Sequence, residues 1–451
     1  NADNPTAGTV AETQHRTGVA STAGKHTTTT LRAPIEGATE TQSKAETATA
    51  HAANPTNLRT TDNFSQSAMP AAQSVVRTGA AAAAAHPATA AATVAMVAVH
   101  EPNTLAAATP ATSLIDAIGS LVFTVYNQVM QLLAGPPVLP RGSTVTVRTS
   151  TLYFGKGNSL PADWYFPNDP NPTGLIFLQH GLLVSAPLYS YTAATLAEKT
   201  NSIVVAPSVT SNPFTTNGFW LNGAEYQTAV AGLFTGDRQA LTASASAALG
   251  RPVTLPTRVV LAGHSDGAGL VLAAANDMVA NGTIGNVAGI LLLDGANDYN
   301  IATNAIDKGI LPVNLPIYQL SAEPSTWDNF DAAGNALVQT RPHDFSGVKL
   351  VGGTHLDSMQ GANPILHFIA DLVVGFPFPA PKNIDAVKTL AVGWVNDMFA
   401  GTANGIYGSP GESITIPTSA GPATATVLPV PSTGPTAAAG QLASDRRRES
   451  E

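Results

Sequence analysis

The stretch VVLAGHSDGAG at residues 259–269 joins a short apolar run to an Ala-rich run through a Gly-X-Ser-X-Gly pattern. The apolar run predicts a buried strand, and the Ala-rich run predicts a helix directly after it. Gly263 and Gly267 allow the strand and the helix to cross closely around the serine between them. The pattern therefore predicts a sharp turn that presents Ser265 as a nucleophile. The alternative interpretation is an ordinary strand-to-helix turn of a parallel α/β protein.

Apolar runs and helical runs alternate on both sides of this stretch. Runs typical of strands lie at 144–152, 163–166, 175–179, 202–206, 287–293, 317–322 and 348–351. Runs typical of helices lie at 224–249, 267–280, 364–374 and 385–399. Strands that alternate with helices indicate a mostly parallel sheet covered on both faces. We therefore expect an α/β fold with a doubly wound, mostly parallel sheet.

Composition divides the 451-residue chain into four parts. Residues 1–112 are rich in Ala, Thr and Pro and are expected to be disordered, because they offer little apolar surface to bury. Residues 113–141 predict a packing helix and a linker, 142–400 the catalytic domain, and 401–451 a flexible tail. The apolar face expected to pack on the catalytic domain is formed by Leu114, Ile118, Leu121, Val125, Val129 and Leu132.

Acyl transfer by Ser265 requires a base and two amide donors for the oxyanion. The backbone N–H groups of Leu182 and Asp266 are our candidate donors, since Leu182 follows the strand-like run 175–179 and Asp266 follows the nucleophile. His180 is expected to brace the first of these loops, with a weaker role in lining the substrate site. His355 is the candidate base, because it lies in the loop after the last strand-like run.

Two carboxylates compete for the role of the acid that orients the base. Asp294 follows the run 287–293, which is the first strand-like run after the helix predicted at 267–280. Glu323 follows the next run, 317–322. Either could accept the second imidazole N–H of His355. The sequence leaves this choice open, with Asp294 placed first.

These motifs, in this order, resemble the α/β-hydrolase superfamily over about Thr144 to Val374. The resemblance rests on His180-Gly181, on the Gly-His-Ser-Asp-Gly pattern and on Gly353-Thr354-His355. Most members carry the acid after the seventh strand, where Ser325 stands here, whereas pancreatic-type lipases carry it after the sixth, where Asp294 stands. The Ala/Thr-rich flanks resemble those of exported actinobacterial serine esterases and lipases, so the resemblance implies a secreted or cell-envelope protein.

The resemblance and the motifs together imply a carboxylic ester hydrolase that acts through an acyl-enzyme on Ser265. The expected substrate is a lipid, a short acyl ester or a polyester, with Phe214 and Trp220 as weaker candidates for lining its site. An acyltransferase, an amide or peptide hydrolase and a catalytically inactive surface-binding protein are the alternatives.

Charge and composition exclude several other classes of function. The formal net charge of −9 argues against a nucleic-acid partner, which needs clustered basic residues. The chain has no Cys, and its His, Asp and Glu residues form no cluster with metal-ligand spacing. We therefore expect neither a metal nor a cofactor. Polar residues such as Asp116 in the apolar run 113–134 argue against a transmembrane segment.

Overall fold

A computed structural model describes residues 114–361, 364–375 and 377–429. The expectation for residues 1–112 lies outside these ranges. The described residues form one ten-stranded sheet in the order β1-β2-β4-β3-β5-β6-β7-β8-β10-β9. Its strands are β1 (Thr146–Gly155), β2 (Asn158–Phe166), β3 (Gly174–Gln179), β4 (Ser202–Pro207), β5 (Val259–His264), β6 (Val287–Leu293), β7 (Ile317–Ser321), β8 (Gly347–Leu350), β9 (Ser413–Ile416) and β10 (Ala423–Val427).

The central strands β4, β3, β5, β6, β7 and β8 pair in parallel, and antiparallel strands flank them at both edges. Every residue of β3, β4, β5 and β6 is buried. Continuous apolar runs of this kind occur where helices cover both faces of a parallel sheet. The structure thus confirms the expected doubly wound α/β class.

Helices pack on both faces of the sheet and enclose two apolar cores. They are α1 (Leu114–Ala134), α2 (Ser190–Lys199), α3 (Ala224–Gly232), α4 (Gln239–Leu249), α5 (Asp266–Ala280), α6 (Ile301–Asp307), α7 (Ala332–Thr340), α8 (Pro364–Val374) and α9 (Pro381–Ala400). Helices α3 to α7 contribute to one core, and α2, α8 and α9 to the other. The single helix expected over 224–249 is two helices, with Gly236 at a left-handed φ of 54° between them.

The expectation of a flexible tail over 401–451 is wrong for residues 401–429. Strand β10 pairs antiparallel with β8, with Val427 opposite Val348, and β9 pairs with β10. The side chains of Ile414, Ile416 and Ala425 are buried in the second core. The alternation of buried and exposed residues in β9 and β10 is that of antiparallel edge strands, which the Thr- and Ala-rich composition conceals.

Helix α1 forms as expected but presents the opposite face to the rest of the chain. The apolar side chains of Leu121 and Leu132 are 64% and 82% exposed. Contact is made instead by Gly119, which lies against the ring of Phe214, and by the Tyr126 hydroxyl, which donates to the Leu183 carbonyl at 2.8 Å. The expected packing of the apolar face is therefore wrong, although the helix does contact the loops after β3 and β4.

In the part of the chain that the structure describes, one helix is long and apolar enough to cross a membrane, and it is α1 from Asp116 to Ala134. A single helix of this kind is weak evidence for a span. The expectation of no transmembrane segment stays a prediction.

Candidate active site

Ser265 occupies a strained turn between β5 and α5. Its φ of 54° and ψ of −127° are unfavourable for a residue with a side chain. Its carbonyl accepts hydrogen bonds from the N–H groups of Ala268 (2.9 Å) and Ala296 (3.1 Å), which hold the turn in place. A Cβ atom at Gly263 would overlap the Gly267 carbonyl, so the glycines are needed for the crossing. The serine is thereby held at the first turn of α5, where the helix dipole favours negative charge.

A buried hydrogen bond joins His355 to Asp294. The Nδ1 atom of His355 lies 2.6 Å from Oδ2 of Asp294, and both residues are buried. The other carboxylate oxygen, Oδ1, accepts the Ala322 N–H at 2.6 Å. Because the carboxylate can only accept, the proton lies on Nδ1 of His355 and leaves Nε2 as the basic nitrogen.

Glu323, the other candidate acid, lies on the surface. Its carboxylate accepts the Gly352 N–H at 3.0 Å and pairs with Lys349 at 3.4 Å. The structure therefore brings Asp294, and not Glu323, into contact with His355.

Several contacts place His355 close to the turn of Ser265. The rings of His264 and His355 have centroids 4.6 Å apart, and His264 directly precedes Ser265. A Cβ atom at Gly181 would come within 2.8 Å of the Ser265 Cβ and within 3.1 Å of the His264 Nδ1. The loops after β3, β5 and β8 therefore converge at the carboxyl edge of the parallel strands.

A hydrogen-bond chain that the sequence did not suggest ties these loops together. The buried Tyr189 hydroxyl accepts the Gly181 N–H at 3.1 Å and lies 2.7 Å from Nδ1 of His264. The Nε2 atom of His264 lies 2.7 Å from the His355 carbonyl, to which it donates. Burial, followed by the charge of His355, lowers the pKa of His264 well below its usual range, so this ring is neutral. These hydrogen bonds hold the Gly181 loop and the His355 loop against the turn of Ser265.

The candidate oxyanion donors belong to the loop after β3 and to the first turn of α5. The Gly181 N–H is bonded to Tyr189, and the Leu183 N–H donates to Ser211 Oγ at 2.8 Å. Among the described residues, no acceptor is bonded to the intervening Leu182 N–H. Asp266 begins α5, so its N–H belongs to the first turn, where amides have no partner within the helix.

Three further carboxyl groups are buried near His355 and Asp294. Burial, opposed by hydrogen bonds from neighbouring side chains or amides, raises the pKa of Asp331 and of Asp357 to about 7. Burial, followed by the charge of Asp294, also raises the pKa of Asp328. Within the described ranges, no group of three or more His, Asp and Glu side chains could hold a metal ion.

No protein-family model and no curated protein matches the chain, but solved structures do. An esterase of Pyrobaculum calidifontis is 16% identical, with 62% of this chain and 94% of that chain covered and a TM-score of 0.39. Brefeldin A esterase, described as a bacterial homologue of human hormone-sensitive lipase, is 14% identical, with 70% and 94% covered and a TM-score of 0.41. The metagenomic carboxylesterase EstE1 is 16% identical, with 57% and 95% covered and a TM-score of 0.39.

The strand order of the chain itself shows a doubly wound, mostly parallel α/β sheet. The location of the protein and its resemblance to exported actinobacterial enzymes stay predictions, since none of these structures tests them.

Two residues expected to line the substrate site make other contacts. His180 is buried, accepts the Val209 N–H at Nε2 (3.0 Å) and donates from Nδ1 to the Gly181 carbonyl (2.7 Å). It therefore braces the loop, as expected, and burial lowers its pKa to about 4. Phe214 packs against Phe123 of α1, with ring centroids 6.1 Å apart. The buried position of His180 excludes its side chain from lining an open site, and the lining role of Phe214 stays a prediction.

Trp220, the third candidate, contacts Tyr299 of the loop after β6, with ring centroids 5.5 Å apart and an interplanar angle of 81°. Tyr299 and its neighbour Asp298 were not singled out from the sequence. Their only signal in the sequence is their position five and six residues beyond the end of β6, on the edge where Ser265 lies.

Proposed function

We propose that the protein hydrolyses carboxylic esters through an acyl-enzyme on Ser265. The observation that carries this proposal is the buried 2.6 Å hydrogen bond between His355 and Asp294 beside the strained turn of Ser265. A buried imidazole whose Nδ1 proton is held by a carboxylate is prepared to accept a proton at Nε2. A serine at a strand-to-helix turn is the group that would give it.

The reaction has two steps. The Ser265 Oγ attacks the ester carbonyl while Nε2 of His355 takes its proton, and the N–H groups of Leu182 and Asp266 stabilise the oxyanion. The tetrahedral intermediate collapses, and the alcohol leaves with the proton from His355. Water then attacks the acyl group, gives a proton to His355 and releases the carboxylic acid and free Ser265. Asp294 holds the imidazole in the required tautomer throughout.

The experiment combines labelling with kinetics. A fluorophosphonate probe should modify the wild type and the Ser159→Ala variant, which alters an exposed serine of β2. It should not modify Ser265→Ala, which should also lose hydrolysis of p-nitrophenyl butyrate. If Ser265→Ala keeps wild-type hydrolysis, the proposal is wrong.

The substrate classes that we propose are lipids, short acyl esters and polyesters. A panel of p-nitrophenyl esters of increasing acyl length, together with an insoluble polyester film, separates them. Product analysis in the presence of an alcohol acceptor shows whether water is the acceptor of the acyl group.

A further inference from the structure

The loop after β3 contains a strained residue next to the candidate oxyanion donor. This loop, residues 180–185, carries Leu182 and is called the oxyanion loop below. Leu183 has a left-handed φ of 62°. For a residue with a side chain, this conformation is disfavoured by roughly five- to thirty-fold, because the Cβ atom comes too close to the carbonyl oxygen. Strain of this kind persists only where the surrounding structure imposes it, and it is commonest at functional sites.

Two hydrogen bonds fix the backbone on either side of the Leu183 Cα atom. The Leu183 N–H donates to Ser211 Oγ at 2.8 Å, which orients the peptide plane before that atom. The Leu183 carbonyl accepts the Tyr126 hydroxyl at 2.8 Å, which orients the peptide plane after it. Since φ and ψ describe the rotation of these two planes, the two hydrogen bonds together hold Leu183 in its left-handed conformation.

Helix α1 is held where Tyr126 reaches this loop. A Cβ atom added at Gly119 would come within 2.6 Å of the Phe214 ring, and Ser120 Oγ accepts a hydrogen bond from Asn212 Nδ2 at 3.1 Å. Phe214 and Asn212 belong to the loop after β4, which also supplies the serine acceptor described above. Helix α1 and the loop after β4 therefore brace the oxyanion loop together.

The contact through Tyr126 is specific and does not depend on pH in the neutral range. Burial raises the pKa of Tyr126 above its usual range, so the hydroxyl keeps its proton and remains a donor. Helix α1 leaves apolar side chains such as Leu121 and Leu132 exposed, so it adds little apolar burial to the core. Its hydrogen bond to the oxyanion loop is thus a separate contribution from general packing.

We propose that Tyr126 is a positioning residue for the oxyanion hole, because its hydroxyl holds Leu183 in the conformation in which the Leu182 N–H stabilises the oxyanion. This inference rests on the proposed acyl transfer at Ser265. Without the hydroxyl, Leu183 shifts towards relaxed conformations, and the peptide plane that it shares with Leu182 rotates. The Leu182 N–H is then displaced from the oxyanion, so the transition state is destabilised while binding of the ground-state ester is unchanged.

The test removes only the hydroxyl, in Tyr126→Phe. Since a neutral hydrogen bond contributes about two- to ten-fold, kcat for p-nitrophenyl butyrate should fall by that factor. The KM value should stay within about two-fold of the wild type, because the hydroxyl acts on the transition state. Tyr153→Phe removes the hydroxyl of an exposed tyrosine of β1 and is the matched control, with both constants unchanged. Thermal melting shows whether each variant is folded.

Two reversible inhibitors separate positioning from a loss of active molecules. In a trifluoromethyl ketone, the Ser265 Oγ adds to the carbonyl carbon, its proton moves to Nε2 of His355, and the carbonyl oxygen becomes an oxyanion. The Ki of this ketone should rise in Tyr126→Phe by the factor by which kcat/KM falls. p-Nitrophenyl butyl ether has no carbonyl group, so its Ki should be unchanged. A smaller fraction of active enzyme lowers kcat but changes neither Ki.

A second variant tests the same brace from the other side. Ser211→Ala removes the acceptor of the Leu183 N–H and should change the two Ki values in the same pattern. Both hydrogen bonds hold one conformation, which the loss of either one already relaxes. The double variant should therefore lose less than the product of the two single losses.

The outcomes separate the inference from the proposed function. The inference is overturned, while Ser265-dependent hydrolysis stands, if a folded Tyr126→Phe binds the ketone as tightly as the wild type or if the Ki values for ketone and ether rise equally. It is also overturned if Tyr126→Phe is unfolded, since the hydroxyl then serves the stability of the fold, or if the double variant loses the full product. If Ser265→Ala hydrolyses the ester as fast as the wild type, the proposed function and the inference are both overturned.

Discussion

Replacement of Asp294 by Asn tests the proposed mechanism most directly. Both carboxylate oxygens accept buried hydrogen bonds of 2.6 Å, one from His355 and one from the Ala322 N–H. An amide has one acceptor and one donor group, so the variant cannot keep both bonds. One of the two contacts must become an encounter between donors, or His355 must move its proton from Nδ1 to Nε2.

The expected loss follows from these two arrangements. If the amide oxygen still accepts the His355 N–H, the Ala322 N–H is left unsatisfied at a cost of about 1–3 kcal/mol. If that cost falls on the active geometry, kcat/KM falls roughly ten- to a hundred-fold. If the amide oxygen still accepts the Ala322 N–H, the His355 proton moves to Nε2. That nitrogen can then no longer accept the Ser265 proton, which costs about ten-thousand-fold in kcat. We therefore expect kcat/KM of Asp294→Asn to fall by between about ten- and ten-thousand-fold.

The assay is steady-state hydrolysis of p-nitrophenyl butyrate, with thermal melting to verify the fold. Glu323→Gln is the matched control, because Glu323 is a carboxylate of the neighbouring loop whose exposed pair with Lys349 contributes at most about 1 kcal/mol to stability. Its kcat/KM should change by less than about two-fold. The reasoning is refuted if a folded Asp294→Asn stays within ten-fold of the wild type, or if Glu323→Gln loses as much activity.

Three further predictions concern the framework of the site. Tyr189→Phe removes the acceptor of the Gly181 N–H and should lower the free energy of unfolding by about 1–3 kcal/mol. It should also reduce kcat more than it changes KM. Urea unfolding and steady-state kinetics on the same sample check both effects. Asp331 retains a proton up to about pH 7 in the folded protein but loses it near 3.8 when unfolded, so stability falls as pH rises between these values. In Asp331→Asn the slope of that fall should be smaller by up to about 1.4 kcal/mol per pH unit, measured by urea unfolding at several pH values. Truncation after Gly401 removes β9 and β10 and leaves β8 as an open edge, so the yield of soluble monomer in gel filtration should fall sharply; an unchanged yield would contradict the sheet order.

The centre of the sheet was predictable from sequence, and its edge was not. Strands β3, β5 and β6 are continuous apolar runs, because both of their faces are covered, and such runs stand out in any sequence. Strands β9 and β10 are four and five residues long and half exposed. Strand β10 is stabilised by pairing with β8, more than seventy residues earlier in the chain, and β9 by pairing with β10. No local pattern reports the pairing of β10 with β8.

Helix α1 shows a different limit of sequence analysis. Its apolar periodicity correctly predicts a helix, but periodicity reports only that one face is apolar and not what covers that face. Contact with the catalytic domain is made by Gly119, Phe123 and Tyr126, whose ring and hydroxyl contacts depend on the loops after β3 and β4. Tertiary contacts of this kind override the amphipathic pattern of a helix.

For the proposed site, chain order predicted Ser265 and His355, whereas the choice between the two candidate acids depended on local backbone geometry. Asp294 and Glu323 both follow the end of a parallel strand, so position alone does not separate them. The left-handed φ of 48° at Asp294 turns the chain directly after β6, and the Ala322 N–H then holds one carboxylate oxygen. The hydrogen-bond chain through Tyr189 and His264 depends equally on three loops that are distant in sequence.

The carboxyl groups around His355 explain how a crowded acidic site can present one charge to the imidazole. Asp328, Asp331 and Asp357 are buried, and each has a raised pKa to which the charge of Asp294 contributes. Asp294 differs from them, because its carboxylate receives both the Ala322 N–H and the His355 N–H. Below about pH 7 Asp331 and Asp357 therefore remain largely protonated, and in the proposed acyl transfer Asp294 is the carboxylate that stabilises the imidazolium. Since removal of the Asp294 charge relieves the repulsion on these neighbours, their pKa values should fall in Asp294→Asn, and a carboxyl titration by NMR would show that shift if the crowding argument is correct.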